Sequence, residues 1–420
     1  MKSHAASIGI PTGFLLPASQ RLTLAFRWTA IIAGGGTGAL IAAAFLSDQD
    51  WLTAFFGFSA ALALAALWHK QMFTQGAALA AGGVTYIAGF YWLPHVIAAY
   101  GSLPLAQAAP AALLFGAWGV LQFACVSLLC RFLQQPFLVR SLLSLPLAWL
   151  TCELWFPKLI PWQLGQTMLA LPWLSQGASL MGAPLLSFFL LWWACGVIAV
   201  LKKEPWQSIQ TIQLVSLIML LSYGVIRTSN LRSEEQSAAR LNVATIQANL
   251  APQTNSLERW QPNIEAHRRL SRQALAEQEL DLLIWPESAV GTDFTLNEKQ
   301  IPDASLRHPF PDLSVPLIFG GQLLLSPSPA VPVYFSSAFL LMPSGLLAAR
   351  YDKRILIPFA ERKPFPGLLQ RYLPHSGRPY SLETGRYRGP LAVTIGHGSK
   401  QLTFRAGLAI CYEEIWPEAF

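Results

Sequence analysis

The sequence predicts a polytopic α-helical membrane domain followed by a water-soluble domain of α/β layers with a mixed sheet. Three observations carry that prediction. Between Trp28 and Leu201 the only formal charges are Asp48, Asp50, Lys70, Arg131, Arg140, Glu153 and Lys158, whereas charges become frequent after Arg227. The apolar stretches of the first half are helix-length. From Leu241 onward the hydrophobic period shortens to the alternation expected of strands. A chain of 420 residues has room for two such units.

A helix needs roughly 20 apolar residues to cross a bilayer. The stretches 28–46, 51–68, 77–93, 106–129, 138–150, 178–201 and 209–226 meet or approach that length, so about seven spans are expected in a membrane domain 28–226. The fifth is the shortest and can extend to Trp155. Lys and Arg favour the cytoplasmic loops. Here Lys2, Arg21 and Arg27 precede the first span, Lys70 follows the second, Arg131 and Arg140 separate the fourth from the fifth, and Lys202 and Lys203 follow the sixth. The basic residues thus fall on alternate loops, with Lys158 the one exception. This places residues 1–27 in the cytoplasm and 227–420 outside, which in a Gram-negative cell is the periplasm.

Three features of this half invite a functional reading. Gly34-Gly35-Gly36-Thr37-Gly38 superficially resembles a phosphate loop, but it lies inside an apolar helix without a preceding strand or a lysine, so close helix packing is expected. Glu153 is an ionisable residue near a membrane boundary. Its place near the end of the fifth span predicts a solvated, interfacial carboxylate. The stretch 162–184 is apolar but interrupted by Gly165, Pro172, Gly177 and Gly182, which predicts a re-entrant or surface segment that could help form a lipid-access groove.

In the second half, strands are predicted at 241–246, 280–285, 316–325, 333–342, 346–351, 391–395 and 402–410, with a helix over 256–278 whose apolar side is Leu257, Trp260, Ile264, Leu270 and Leu275. Glu287, Lys353 and Cys411 each sit at the abrupt end of a strand-like run, where a layered fold exposes reactive groups. Cys411 is the only thiol of this half; Cys125, Cys130, Cys152 and Cys195 lie in the apolar half. A carboxylate can take a thiol proton, and an ammonium can lower a thiol pKa and neutralise an oxyanion. Singly, each residue has an ordinary explanation: a surface turn glutamate, a solvated lysine, a small apolar cysteine. Together, in this order, they predict a nucleophilic site with Glu287 as base, Lys353 as electrostatic partner and Cys411 as nucleophile.

Other classes are excluded. The basic residues behind the net charge of +7 are scattered singly, so no nucleic-acid partner is expected. The seven histidines do not cluster and neither CxxC nor HExxH occurs, so neither metal nor cofactor is expected.

The segments Trp285-Pro286-Glu287-Ser288, Tyr351-Asp352-Lys353 and Ile410-Cys411-Tyr412-Glu413 resemble the nitrilase superfamily, and the preceding spans make the whole similar to its membrane-embedded members, the apolipoprotein N-acyltransferases. Gln247-Ala248-Asn249-Leu250-Ala251-Pro252-Gln253, Ile357-Pro358-Phe359-Ala360-Glu361 and Ser381-Leu382-Glu383-Thr384-Gly385 match further loops of that family. The resemblance implies an α-β-β-α sandwich. It also implies a Glu287–Lys353–Cys411 triad, supported by Glu361 in the charge network and by Tyr412 and Glu413 beside the nucleophile. Trp260 would contact lipid or gate access, or else is a core aromatic of its helix.

The activity implied is transfer of an acyl chain from a phospholipid, through a Cys411 thioester, to the α-amine of the N-terminal diacylglyceryl-cysteine of an apolipoprotein. A monomer in the bacterial inner membrane is expected. The family continues beyond the position of Phe420 with more of the sandwich and a last membrane helix. On that basis a chain ending there is expected to be incomplete, poorly stable and weakly active. Two alternatives stand beside this reading: a membrane-tethered amidase using the same trio, and a transporter or scaffold with an inert external domain.

Overall fold

The computed structural model describes residues 18–101, 103–134, 142–204, 207–250, 257–287, 289–295, 313–325, 333–358, 360–362, 382–387, 389–397 and 400–416. The chain divides into two compact units, 1–98 with 104–236, and 99–103 with 237–420.

The first unit is all helical. In order it contains α1 (Ala18–Leu46), α2 (Asp50–His69), α3 (Gln75–Gly89), α4 (Leu93–Gly101), α5 (Leu105–Leu133), α6 (Ser144–Trp155), a 3-10 turn (Leu164–Ala170), the short α7 (Pro172–Ser175) and α8 (Ala178–Met181), α9 (Ala183–Leu201) and α10 (Gln207–Ser237). Among the described residues five helices are long and apolar enough to cross a membrane, and six if α3 and α4, bent by 48° across their break, form one span. The fifth expected span falls on α6, whose 12 residues reach only about 18 Å at the helical rise. That is well short of a bilayer core of about 30 Å. The last helix runs on to Ser237, well past the expected 226.

The small-residue run of α1 serves packing, as expected. A Cβ at Gly34 would strike the backbone of Ala77, and one at Gly38 the backbone of Ala81, so α1 and α3 meet backbone to backbone. Thr85 Oγ1 donates to Ala81 O at 2.8 Å and lies 3.3 Å from Gly38 O. Between α6 and α9 the irregular stretch forecast for 162–184 is present, and its backbone is satisfied by side chains. Gly165 N donates to Ser187 Oγ (2.7 Å) and Lys158 Nζ to Trp162 O (2.9 Å), while the Trp162 side chain is itself fixed by Nε1 donating to Tyr86 OH (3.0 Å). Non-helical backbone survives at membrane depth only when so satisfied.

Glu153 corrects the sequence expectation. It is 6% exposed rather than solvated. Its Oε1 accepts from Trp149 Nε1 at 2.7 Å and from Leu164 N at 2.8 Å. The neighbouring apolar chain folds back over the end of α6 and encloses it, and an open N–H of the 3-10 turn takes the carboxylate in place of water.

The second unit is layered. A six-stranded sheet holds β1 (Val243–Thr245), β2 (Leu282–Ile284), β3 (Val290–Thr295), β4 (Leu317–Leu325), β5 (Val333–Leu341) and β6 (Leu347–Asp352). The order is β1-β2-β4-β5-β6, with β3 added on β4. The β1–β2, β2–β4 and β3–β4 pairs are parallel; β4–β5 and β5–β6 are antiparallel. Helix α11 (Leu257–Glu277) covers one face, packing Ile264, Leu270 and Leu275 against Leu283, Phe319 and Phe339. The antiparallel pair β7 (Leu391–His397) and β8 (Lys400–Ala406) covers the other, through Leu391, Val393 and Ile395 against Ile318, Leu340 and Tyr351.

Two strand expectations need correction. The strand β3 lies over a stretch to which the sequence reading assigned no element; it follows the Glu287 turn almost at once and shifts register between Val290 and Asp293. The last strand ends at Ala406 rather than Ile410, and residues 407–410 approach Cys411 as extended, unpaired chain.

Candidate active site

The lysine comes from the end of β6. Its backbone N–H donates to Ser336 O at 2.8 Å, extending the ladder by one bond, and its carbonyl accepts from Gly385 N at 2.8 Å. The preceding Asp352 is fixed by Ser337 Oγ (2.6 Å) and Arg350 Nη2 (2.9 Å). Lys353 is therefore held on both sides, and it is 0% exposed. A buried ammonium needs carboxylate partners. Lys353 Nζ has two: Glu361 Oε1 at 2.8 Å and Glu287 Oε1 at 3.7 Å. The other oxygen of Glu361 accepts from Ile357 N at 2.8 Å, so the loop of Ile357 and Glu361 grips its own carboxylate and presents it to the lysine.

Glu287 follows β2. Trp285 N donates to Ile318 O (2.8 Å), and Ala289 N closes a turn onto Pro286 O (3.3 Å) with Glu287 inside it.

Cys411 opens a five-residue 3-10 turn, Cys411–Ile415. Its φ is 52°, in the left-handed region that non-glycine residues rarely enter. Such a conformation persists only where the surroundings impose it. Here Glu413 imposes it. Glu413 is buried, and its carboxylate accepts Ile410 N (2.9 Å), Arg354 N (2.6 Å), Ile355 N (3.1 Å) and the Tyr351 hydroxyl (3.0 and 3.1 Å). One side chain thus ties the cysteine turn to the chain just after Lys353.

Cys411 is the one exposed cysteine of the five. Enough protein still surrounds its thiol to push the pKa up by desolvation. The charge of Glu287 raises it further, the Lys353 ammonium pulls it down, and the hydrogen bond with Glu287 and the charge of Glu361 raise it again. The balance leaves a protonated thiol beside a carboxylate that can take its proton. Tyr412 points elsewhere, its ring meeting Trp416 edge-on at 5.9 Å, and desolvation raises its hydroxyl pKa.

The structure thus gathers Glu287, Lys353, Glu361 and Cys411 around one ammonium, with Glu413 behind them as a brace. The Trp260 side chain lies outside the described residues, although its backbone belongs to α11. Tyr351 takes part through Glu413, and only its place in the lysine motif hinted at that. Among the described residues no group of three or more His, Cys, Asp or Glu could hold a metal ion.

Residues 37–196 match the apolipoprotein N-acyltransferase N-terminal domain, and residues 242–420 match carbon-nitrogen hydrolase. The two matches lie side by side on one chain. The chain thus joins a segment similar to the N-terminal domain of apolipoprotein N-acyltransferases to one similar to carbon-nitrogen hydrolases. Similar proteins bearing that name occur in Vibrio vulnificus, 28% identical over 94% of this chain and 76% of the relative. Another occurs in Geobacter metallireducens, 26% identical over 80% of this chain and 64% of the relative. A third occurs in Chlorobaculum tepidum, 27% identical over 66% of this chain and 56% of the relative. The chain therefore spans between about half and three quarters of these relatives' lengths. Similarity to these acyltransferases and five or six membrane-length helices among the described residues make it a multi-pass membrane protein.

Proposed function

We propose that this protein moves a fatty acyl chain from a membrane phospholipid to the α-amine of the N-terminal diacylglyceryl-cysteine of apolipoproteins, with Cys411 as the covalent carrier. The observation that carries the reading is the wholly buried Lys353 ammonium, set between Glu287 and Glu361 next to the one exposed thiol.

In the first half-reaction Glu287 takes the Cys411 proton while sulfur attacks the ester carbonyl. One ammonium and two carboxylates carry a formal charge of −1 before the step. Moving a proton from thiol to Glu287 leaves that sum unchanged, so no net charge is created in a partly desolvated site. Lys353, with a backbone N–H near Tyr412, stabilises the oxyanion. The C–O bond then breaks, Glu287 returns its proton to the departing glycerol oxygen, and a thioester remains. In the second half-reaction Glu287 accepts a proton from the incoming amine, which takes the acyl chain, and the thiol is regenerated. Ester to thioester to amide ends downhill, and dividing the transfer between two steps is the usual gain of covalent catalysis.

Both substrates are lipid-anchored. Confinement to one membrane raises their effective concentration at the site. With α6 and the apolar stretch after it taken together as one crossing, the alternation of basic loops favours a cytoplasmic N-terminus, a membrane domain over 28–226 and a catalytic domain from 227 in the periplasm, in the inner membrane. We read the working unit as a monomer.

The test is mass spectrometry of the Cys411 peptide after incubation with phospholipid vesicles. A fatty acyl thioester, absent in Cys411→Ala and discharged by a diacylglyceryl-cysteine peptide, is the expected result. Turnover of a small soluble amide without acylation by phospholipid would instead favour the membrane-tethered amidase.

A further inference from the structure

Three polar residues of α11 stand one turn apart and face the segment that carries Glu287. Ser271 Oγ accepts from Trp285 Nε1 at 2.9 Å. Asn263 Nδ2 donates to Ala289 O at 3.2 Å. His267, between them, packs its ring on Trp285, centroids 5.1 Å apart, and its Nδ1 lies 2.8 Å from Asn263 O. Ser271 and His267 are almost wholly buried, and His267 Nε2 has no hydrogen-bond partner among the described residues. Polar groups in a helix face that otherwise carries Ile264, Leu270 and Leu275 are costly unless hydrogen-bonded, and Asn263 and Ser271 meet that cost by holding a neighbouring segment. What they hold is the start and the end of the stretch 285–289. Within it, Ala289 N closes on Pro286 O and Glu287 projects from the turn.

We propose that Asn263 and Ser271 are positioning residues for Glu287: they grip both ends of its turn and fix the carboxylate against the Cys411 thiol. The proposal rests on the acyl-transfer reading above. The base must accept a proton from Cys411 Sγ and return it to the leaving oxygen, so an error of an ångström in its place costs rate twice per cycle. The backbone next to β2 fixes Trp285 through Ile318 O, but Ala289, at the far end, immediately precedes the register-shifted β3. Asn263 is the side-chain anchor at that end.

The arrangement yields a signature that general loosening of the fold does not. Glu287 raises the Cys411 pKa by its charge and its hydrogen bond. A displaced Glu287 therefore makes the thiol easier to ionise while making acyl transfer slower.

The experiment uses the full chain in detergent micelles and the variants Asn263→Ala, Ser271→Ala and Glu287→Gln. Two rates are read: alkylation of Cys411 by uncharged iodoacetamide against pH, followed on the Cys411 peptide, and thioester formation from phospholipid vesicles. For Asn263→Ala the alkylation midpoint is expected to move down by about half a pH unit, and thioester formation to fall about tenfold. Ser271→Ala should move both in the same directions, and Glu287→Gln should move the midpoint further and abolish the thioester. An unchanged midpoint in Asn263→Ala, with a shifted one in Glu287→Gln, overturns the positioning role and leaves the triad intact. Alkylation and acylation falling together also overturns it, since that reports only a loosened domain. An unchanged midpoint in Glu287→Gln means that Glu287 does not act on the thiol, and the proposed mechanism falls with it. Should Asn263→Ala fail to fold, Asn263→Ser removes the same amide donor and is read by the same outcomes.

Discussion

Glu413 accepts the Tyr351 hydroxyl at 3.0 and 3.1 Å while the same carboxylate accepts the backbone N–H of Ile410 at 2.9 Å. Tyr351 lies two residues before the lysine, and Ile410 one before the cysteine. A single buried acid therefore sets the distance between the two chains from which ammonium and sulfur project, and it does so without facing the reacting atoms.

Removing that acid should be more damaging than its distance from the chemistry suggests. Glu413→Ala leaves the N–H groups of Ile410, Arg354 and Ile355 without their acceptor. Orphaned buried donors cost about 1–3 kcal/mol each. The expected outcome is a melting temperature lowered by several degrees together with loss of thioester formation. Glu413→Gln keeps one oxygen and should retain more stability than activity.

Lys353→Met should act on the thiol in the opposite direction to Glu287→Gln. The ammonium lowers the Cys411 pKa and the two carboxylates raise it. Without the cation, Glu287 and Glu361 both oppose ionisation, so the pH midpoint for Cys411 alkylation should move up and acylation should vanish. Alkylation at neutral pH that is as fast as in the parent protein would contradict this assignment. Lys353→Arg should not rescue, because a guanidinium is broader than the space that encloses a wholly buried ammonium.

Gly34→Val and Gly38→Val should each lower the yield of folded protein in the membrane and its melting temperature, since the new side chain would strike the backbone of Ala77 or Ala81. Gly36→Ala is the control: nothing lies within 4 Å of its Cβ position, and the variant should match the parent within about 0.5 kcal/mol.

Glu153→Leu should loosen the irregular stretch that follows α6. It deprives Leu164 N and Trp149 Nε1 of their shared acceptor. Limited proteolysis between Trp155 and Ala183 should become faster by about tenfold, with Glu153→Gln lying between Leu and the parent. Equal cleavage of all three would show that the carboxylate does not anchor the segment.

The division into an apolar helical half and a layered polar half was legible because both hydrophobic period and charge density change near Leu241. The strands β4, β5 and β6 were legible within a residue or so, because each carries a long alternating or apolar run between turn residues. β3 was not, since Val290-Gly291-Thr292-Asp293-Phe294-Thr295 has too little apolar content to announce a strand and owes its extended form to β4 beside it. The order Glu287, Lys353, Cys411 marked the candidate site because each ends an apolar run, although only Lys353 directly follows a strand. The burial of Glu153 and the grip of Asn263 and Ser271 were not readable, because each depends on which distant backbone group comes to rest against the side chain. The left-handed turn at Cys411 was likewise invisible, being imposed by Glu413 across the domain.

The complete enclosure of Lys353 has a further result for a protein that works among lipids. An exposed cation next to a bilayer would be neutralised to varying degrees by anionic headgroups and mobile salt. Counter-ions cannot approach this one, whose carboxylate partners among the described residues are two acids of its own chain. Under the acyl-transfer reading, the field it exerts on the Cys411 thiol is accordingly insulated from membrane composition and should act alike in vesicles rich or poor in acidic lipid.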